Sequence, residues 1–307
     1  MGRMINSPIG AQRSSQLRAL GLPLDTFDVR PRPRPFVKMA GGKTKLLPEL
    51  LARVPKAFNR YYEPFVGGGA LYFELVSTHV GKQFVIGDTN RDLVVAYREV
   101  RDNPHELIRR LSGMKNDEKF FYDVRAIDLN ALDLLTPGLS NARAARMIYL
   151  NKTCFNGLHR MNKAGRFNTP FGKYAKPLIC DRENILACSK VLRQTRILSC
   201  SFDDTVYAAG RGDFVYFDPP YAPLSETSNF SAYGETGFKW VEQIKLCETA
   251  RALKKRGVNV LLSNSNNPFI RELYARDGEF KIETVHAPRS INATGKGRGK
   301  IAELLIS

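Results

Sequence analysis

Several protein classes are excluded by what this sequence of 307 residues lacks. Its five cysteines are an odd number without a CxxC pair, which argues against a zinc ribbon or a disulfide framework and favours a reducing compartment. Its four histidines are widely scattered, so we predict no metal site. No apolar run reaches the length of about 18 residues that a membrane-spanning helix needs, so we expect no membrane partner.

Acidic residues are scarce as well, because 30 Asp and Glu stand against 47 Lys and Arg, for a formal net charge of +17. The excess is concentrated in residues 141–200, which carry 12 Lys and Arg beside only Asp181 and Glu183. Aromatic and amide side chains such as Phe155 and Asn156 lie between these cations. Cations bind a phosphate backbone, and amides and rings contact bases, so the pattern favours nucleic acid over an anionic membrane. A solvated basic face on an unrelated enzyme is the alternative.

Two regions of the chain differ from the remainder. Residues 1–34 contain six arginines and only two acids, which predicts a basic, flexible N-terminal tail. Residues 103–195 predict helices around a loop-rich stretch with turn residues at Ala164-Gly165. We predict that this second region is an inserted helical and hairpin domain.

Strand-like and helix-like segments alternate over residues 35–102 and again over 196–307, which we predict to form one domain. We count seven strands, one of which is followed by a predicted loop at SNSN (263–266). Strands separated by helices form parallel pairs, so we predict an α/β fold with a doubly wound sheet. Ligands of such sheets bind beyond the carboxyl ends of the strands. The positions selected by that rule are 65–69, 88, 202–203 and 218–221.

A glycine turn follows the first strand in the sequence EPFVGGG (63–69). Glycines let the backbone approach a ligand closely, although such a turn is as often purely structural. Asp88 ends the next strand, where a carboxylate can accept the two ribose hydroxyls of an adenosine. The turn is not the GxGxxG that binds a pyrophosphate. The pair therefore predicts a nucleoside cofactor without a pyrophosphate and argues against a nicotinamide dehydrogenase.

The sequence Asp218-Pro219-Pro220-Tyr221 follows the hydrophobic strand FVYF, and one interpretation is a rigid proline turn. The other is chemical, because the exocyclic amine of adenine is a weak nucleophile whose lone pair is delocalised into the ring. A carboxylate and a backbone carbonyl that accept its two N–H groups would stabilise the positive charge that develops when the nitrogen attacks a methyl group. Tyr221 offers a ring face on which an extruded base can stack.

With these motifs the chain resembles S-adenosylmethionine-dependent amino-methyltransferases, and more closely the DNA adenine methyltransferases of the Dam type in the α-ordered group. The resemblance covers about residues 36–306 and includes FVKMAGGKTKLL (36–47), EPFVGGG (63–69), GDTNRDL (87–93), NKTCFNGLHRMNKAGRFNTPFGKY (151–174), SFDD (201–204) and DPPYAPLSETSNFSAY (218–233). It implies metal-free transfer of a methyl group from S-adenosylmethionine to N6 of an adenine flipped out of double-stranded DNA. We expect a monomer in the cytoplasm of a bacterial or phage-infected cell.

The resemblance also implies which residues bind the cofactor. They are Met39, Lys43, Phe65, Gly67, Gly69, Asp88, Phe202, Asp203 and Asp218. Lys43 would meet the cofactor carboxylate, Asp88 the ribose and Asp203 the cofactor adenine. Met39 departs from the family, which usually has Trp at that position. The catalytic residues would be Asp218, Pro219, Pro220 and Tyr221, with Asp218 touching both the cofactor and the target amine.

The inserted domain would recognise the target in DNA. The implied recognition residues are Phe155, Asn156, Leu158, Arg160, Pro170 and Tyr174. Phe155 falls on the position of an aromatic wedge, and Arg160 matches an arginine that contacts O6 and N7 of guanine. Because these residues are retained, we predict GATC as the site. The same chemistry on another DNA site or on RNA, and a non-catalytic DNA-binding module, remain as alternatives.

Overall fold

The computed structural model describes residues 31–128, 138–162, 166–221, 238–288 and 300–307. Residues 1–30 of the predicted tail, the predicted turn at Ala164-Gly165 and residues 222–233 of the last sequence block lie outside the described residues. Pro33–Ser307 form one compact unit, in which the predicted insertion and the sheet segments pack together.

Strands and helices alternate on both sides of a longer helical stretch. The strands are β1 (Arg60–Glu63), β2 (Gln83–Gly87), β3 (Thr195–Leu198), β4 (Phe214–Phe217), β5 (Asn259–Ser265), β6 (Ile282–Pro288) and β7 (Lys300–Ile306). The α-helices are α1 (Leu47–Leu51), α2 (Ala70–Thr78), α3 (Arg91–Asp102), α4 (Pro104–Ser112), α5 (Glu118–Ala126), α6 (Leu139–Thr153), α7 (Arg182–Leu192), α8 (Phe202–Val206), α9 (Trp240–Lys255) and α10 (Pro268–Ala275). Short 3₁₀ turns occur at Lys43–Lys45 and Phe155–Gly157. None of the described helices is both long and apolar enough to cross a membrane.

The seven strands form one sheet in the order β3-β2-β1-β4-β5-β7-β6. The pairings from β3 to β5 are parallel, as predicted. The last strand, β7, runs antiparallel to both β5 and β6, so the sheet is mixed. The reason is the short connection, since only 11 residues separate Pro288 from Lys300 and a parallel crossover needs about a dozen or more.

The sheet has a hydrophobic core on each face, because neighbouring side chains of a strand point to opposite sides. Tyr61 and Phe214 belong to the cluster that also contains residues of α2, α3 and α6. Tyr62 and Phe217 belong to the cluster on the other face, which includes residues of α9 and α10. Strand β4 is buried along its whole length, as expected of a central parallel strand. The predicted α/β fold with a seven-stranded sheet is thereby confirmed.

Helices α3 to α7 lie in the chain between the adjacent parallel strands β2 and β3. Their apolar residues, such as Leu107, Phe121 and Ile148, belong to the same core cluster as Tyr61 of the sheet. The predicted insertion is therefore anchored to one face of the sheet. Between α6 and α7 the chain has no α-helix in its described part, and this stretch carries the predicted recognition residues.

Candidate active site

A cavity of about 2000 Å³ opens at the carboxyl ends of β1, β2, β3 and β4. All the predicted cofactor-binding residues and all the predicted catalytic residues line it, as do two of the predicted recognition residues, Asn156 and Tyr174. The fold therefore brings together side chains that are up to 182 positions apart, from Met39 to Tyr221. The edge of the sheet is the one that the strand-end rule selected.

The glycine turn after β1 forms one wall of this cavity. Gly67 and Gly69 have left-handed backbones, with φ of 47° and 71°. A Cβ on Gly69 would lie 2.7 Å from the hydroxyl of Tyr97, which itself donates a hydrogen bond to the carbonyl of Gly67 at 3.1 Å. Glycine is needed here because both the backbone conformation and the packing exclude a side chain.

Asp88 ties the glycine turn to the end of β2. One carboxylate oxygen accepts the backbone N–H of Gly67 at 3.2 Å, and the other accepts that of Asn90 at 2.9 Å. Burial raises the pKa of Asp88, and the hydrogen bonds from these N–H groups oppose that rise. Asn90 also caps α3 by accepting the N–H of Leu93 at 3.2 Å. The acid that we predict for the ribose is thus held in a fixed position.

Aromatic rings line the next part of the cavity. Phe65 stacks on Phe202 with ring centroids 5.5 Å apart, and Phe238 meets Phe65 edge-on at 5.5 Å. Beside them Asp203 accepts a hydrogen bond from the ammonium of Lys245 at 2.7 Å. The second oxygen of Asp203, Oδ1, is buried and has no hydrogen-bond partner among the described residues. This part of the wall therefore combines apolar ring faces with an unused acceptor.

Asp218 lies directly after β4, and the described residues hold it through a single oxygen. Its Oδ1 is 2.8 Å from the ammonium of Lys43 and accepts the hydroxyl of Ser263 at 2.8 Å. The phenol of Tyr216 lies 3.0 Å from the same Ser263 hydroxyl. Lys43 is only 5% exposed, and it also donates to the carbonyl of Gly41 at 2.6 Å. The lysine predicted to meet the cofactor carboxylate therefore also touches Asp218, the predicted catalytic acid.

Tyr221 is fixed at both its ring and its hydroxyl. The ammonium of Lys43 lies 4.6 Å from the ring centroid, within the range of a cation–π contact. The phenol donates to the carboxylate of Glu303 at 2.5 Å. Burial, together with the negative charges of Asp218 and Glu303, raises the pKa of Tyr221 well above its ordinary value. The ring that we predict to stack on a base is therefore oriented by neighbours on two sides.

The two prolines between these residues are anchored by a buried amide. Gln243 of α9 donates to the carbonyl of Pro220 at 3.0 Å and accepts the amide of Asn264 at 3.0 Å. The hydrogen bonds of the described residues thus involve the carbonyl of Pro220 and not that of Pro219. Within the described part of the chain, the carbonyl of Pro219, next to Asp218 in the sequence, therefore has no hydrogen-bond donor.

Glu63 is a carboxyl group that the sequence reasoning did not assign to the site. It ends β1, lines the cavity, is 3% exposed and accepts the phenol of Tyr61 at 2.7 Å. Burial raises its pKa to about 8, the hydrogen bond from Tyr61 opposes that rise, and the charge of Asp218 adds to it. At neutral pH this side chain is therefore mainly uncharged.

The predicted recognition residues lie on the stretch between α6 and α7. Phe155 and Tyr174 are 44% and 38% exposed, and Arg160 and Pro170 are exposed as well. The backbone of this stretch is paired, since Phe155 N–H donates to Pro170 at 2.9 Å and Asn168 N–H to Arg160 at 3.0 Å. A paired backbone therefore carries side chains that are free to meet another molecule. Phe155, Leu158, Arg160 and Pro170 do not line the cavity.

Sequence comparison adds to this geometry. The family described as D12 class N6 adenine-specific DNA methyltransferase matches residues 40–291. The chain belongs to this family. A type II methyltransferase of Lactococcus lactis subsp. cremoris is 40% identical over 279 residues, which are 89% of this chain and 95% of the relative. The DNA adenine methylases of Vibrio cholerae serotype O1 and Escherichia coli K12 are each 35% identical over 277 residues, again 89% of this chain and 95% and 94% of theirs.

The candidate site of this adenine N6 DNA methyltransferase contains residues that the sequence analysis did not assign. They are Glu63, Gln243, Ser263, Asn264 and Glu303. The predicted loop at SNSN was wrong for Asn264 and Ser265, because β5 continues to Ser265. The signal for Ser263 was its place at the end of a buried strand beside the one that carries Asp218. Among the described residues, no group of three His, Cys, Asp or Glu side chains is placed to hold a metal ion.

Proposed function

We propose that this methyltransferase transfers the methyl group of S-adenosylmethionine to N6 of an adenine that is flipped out of double-stranded DNA, within the sequence GATC. The observation that carries the proposal is that one cavity contains both the glycine turn with Asp88 and the turn that begins at Asp218. A nucleoside cofactor and a target base can therefore lie within reach of the same carboxylate.

The residues of the cavity fit S-adenosylmethionine. Asp88 lies beyond a strand end, where it would accept the ribose hydroxyls. The unused Oδ1 of Asp203 would accept the amine of the cofactor adenine, between the ring faces of Phe65 and Phe202. Lys43 would meet the cofactor carboxylate. When bound, the cofactor supplies an electrophilic methyl group.

Asp218 and Pro219 activate the target amine in this proposal. Lys43 and Ser263 hold Oδ1 of Asp218, which leaves Oδ2 to accept one N–H of the adenine. The carbonyl of Pro219 accepts the other N–H, and the Gln243 bond to Pro220 fixes the backbone that aims it. Two fixed acceptors favour a positive charge on the nitrogen as it attacks in line, so no covalent intermediate with the protein is needed. Tyr221 stacks on the flipped base.

Residues 103–195 act as the target-recognition domain in this proposal. The exposed ring of Phe155 would enter the space that the flipped adenine leaves, and Arg160 would donate to O6 and N7 of a guanine. The surrounding Lys and Arg side chains bind phosphates and position the duplex without specifying its sequence. Exposure of the side chains on a paired backbone supports this assignment. Bacterial and phage relatives support action inside such cells, and we propose a monomer in solution.

A methyl-transfer assay tests the proposal. The full chain is incubated with methyl-labelled S-adenosylmethionine and one of three substrates of equal length, namely a GATC duplex, a duplex with the four bases scrambled, and the GATC sequence as RNA. Label on the N6 of adenine in the GATC duplex alone is the expected result. Label on the scrambled duplex would show that GATC is not the site, and label on RNA would show that the substrate is not DNA alone. No label on any of the three would overturn the proposal.

A further inference from the structure

The chain segment that precedes Lys43 is packed between the two halves of the proposed site. On one side, the carbonyl of Val37 lies against Gly68 of the glycine turn, at 3.3 Å from where a Cβ would be. On the other side, the segment contacts α6 and α7 through two asparagine side chains, Asn151 and Asn184. Residues 34–38 therefore touch both the cofactor wall and the helices that carry the recognition stretch.

Each of these asparagines pairs with the segment as a neighbouring strand would. Asn184 accepts the N–H of Arg34 at 3.0 Å and donates to its carbonyl at 3.0 Å. Asn151 accepts the N–H of Lys38 at 2.8 Å and donates to its carbonyl at 2.7 Å. Both side chains are 1% exposed. Since a buried amide that loses its partner is strongly disfavoured, both contacts fix the segment firmly.

Asn151, unlike Asn184, also contacts the proposed recognition stretch between α6 and α7. Its amide also donates to the carbonyl of Gly157 at 3.3 Å, in the turn Phe155–Gly157 that carries two predicted recognition residues. Gly157 packs on the side chain of Lys38, since a Cβ there would lie 3.1 Å from that side chain. One buried amide thus joins the recognition turn to the segment that leads to Lys43.

The connection continues from Lys38 to the catalytic acid through a short turn. The carbonyl of Met39 accepts the N–H of Gly42 at 3.1 Å, and Lys43 donates to Gly41 at 2.6 Å. Lys43 then reaches Asp218 at 2.8 Å. A shift of the recognition turn that keeps the Asn151 bonds must therefore move this segment as well.

We propose that Asn151 is a positioning residue that couples DNA binding to cofactor binding. This inference rests on the proposed function, because it takes the turn Phe155–Gly157 as a DNA contact and Lys43 as a cofactor contact. Duplex DNA that fixes the turn fixes the segment through Asn151, and the cofactor then binds a site that is already ordered. Thermodynamic linkage requires the reverse effect to be equal, so the cofactor strengthens DNA binding by the same factor.

The chain supplies its own matched control in Asn184. Asn151→Ala and Asn184→Ala each remove one pair of hydrogen bonds to the segment, but only Asn151→Ala removes a bond to the recognition turn. We expect both variants to unfold at similarly lowered temperatures. We expect only Asn151→Ala to lose the coupling. Should Asn151→Ala not fold, Asn151→Ser, which keeps a hydroxyl at this position, is measured in its place.

Calorimetry measures the coupling without turnover. The dissociation constant of S-adenosylhomocysteine, which has no methyl group to transfer, is determined alone and with saturating GATC duplex. For the native chain, we expect the duplex to tighten the binding of S-adenosylhomocysteine roughly tenfold. We expect S-adenosylhomocysteine to tighten the binding of the duplex by the same factor. We expect Asn184→Ala to keep this coupling factor and Asn151→Ala to reduce it to about one, which means no coupling.

Three results would overturn the inference: native-like coupling in Asn151→Ala, equal loss of coupling in Asn184→Ala, or no coupling in the native chain. If the native chain methylates GATC but shows no coupling, the role of Asn151 is refuted and the proposed function is not. A native chain that binds neither S-adenosylhomocysteine nor duplex refutes the proposed function and this inference together.

Discussion

The edge of the sheet with the proposed catalytic residues and the proposed recognition stretch between α6 and α7 differ in how their side chains are held. At this edge of the sheet, Ser263 and Lys43 hold the side chain of Asp218. Lys43 and Glu303 hold that of Tyr221. In the recognition stretch, hydrogen bonds hold the backbone, and a side chain such as Phe155 is left exposed. Methyl transfer needs acceptors that are already oriented when charge develops, whereas a residue that reads DNA finds its partner on another molecule. Substitutions in the two regions should therefore have different kinds of effect.

Asp218→Ala has the largest expected effect. We expect turnover to fall by at least about 10³-fold, because the variant loses the acceptor that stabilises the developing charge. DNA binding should be retained, since Asp218 lies in the cavity and not on the exposed stretch. Single-turnover methylation and a duplex-binding titration measure the two quantities. Methylation at the native rate would contradict the mechanism.

Glu63→Gln tests whether burial of the Glu63 carboxyl group lowers the free energy of unfolding. The usual pKa of this carboxyl is 4.5 and burial raises it to about 8 in the folded chain. Between those values the folded state holds a proton that the unfolded state has released, so the native free energy of unfolding falls as pH rises and levels off above pH 8. Glutamine does not titrate and keeps a carbonyl that can accept the Tyr61 phenol.

We therefore expect Glu63→Gln to gain stability over the native chain between pH 5 and pH 9. The gain between pH 5 and pH 9 is on the order of 4 kcal/mol, at roughly 1.4 kcal/mol for each pH unit from 5 to 8. Urea unfolding at a series of pH values measures it. A constant difference between the two proteins across this range would show that Glu63 is ionised in both states.

Arg160→Ala tests the recognition stretch. We expect it to lower discrimination at one guanine by about 1–3 kcal/mol, with little change in binding to DNA that lacks the site. Arg166→Ala, on the same exposed stretch, is the matched control and should weaken binding to all sequences alike and reduce its salt dependence. Competition binding with single-base variants of GATC separates the two. An equal loss on every sequence for Arg160→Ala would remove it from base recognition.

Loss of the hydrogen bond between Tyr221 and Glu303 is expected to have the smallest effect on activity. Tyr221→Phe keeps the ring but removes its hydroxyl group, and Glu303→Ala removes the carboxylate that accepts from that hydroxyl. Each should lower kcat/KM by roughly tenfold, and the double variant should lose little more, because both changes break the same bond. Tyr207→Phe, a change at an exposed tyrosine, serves as control. Additive losses would show that Glu303 does not orient the ring.

Much of the fold follows from local pattern in the sequence. A buried run such as FVYF and a periodic segment such as Arg91–Asp102 define a strand and a helix by themselves. The antiparallel direction of β7 was not predicted, because the alternation of strands and helices says nothing of a connection as short as the one before Lys300. Pairing between distant strands is a long-range property, so hydrophobic pattern alone does not determine it.

The candidate site was predictable where it lies at the carboxyl end of a parallel strand. Asp88 and Asp218 were found by that rule, and the structure places both along one cavity. Glu303 was missed because β7 runs the other way, so that its first residues, not its last, reach this edge. Gln243 was missed because it lies in the first turn of α9, where no motif distinguishes a buried amide that binds a carbonyl from one that faces solvent.

The position of β7 between β5 and β6 has a consequence for synthesis on the ribosome. While the chain emerges, residues 259–288 supply β5 and β6. The strand that lies between them in the sheet, β7, is missing until residues 300–306 arrive. The partner of the Tyr221 phenol arrives with the same last strand. A nascent chain shorter than this has an incomplete sheet, and it lacks the hydrogen bond from the Tyr221 phenol to Glu303.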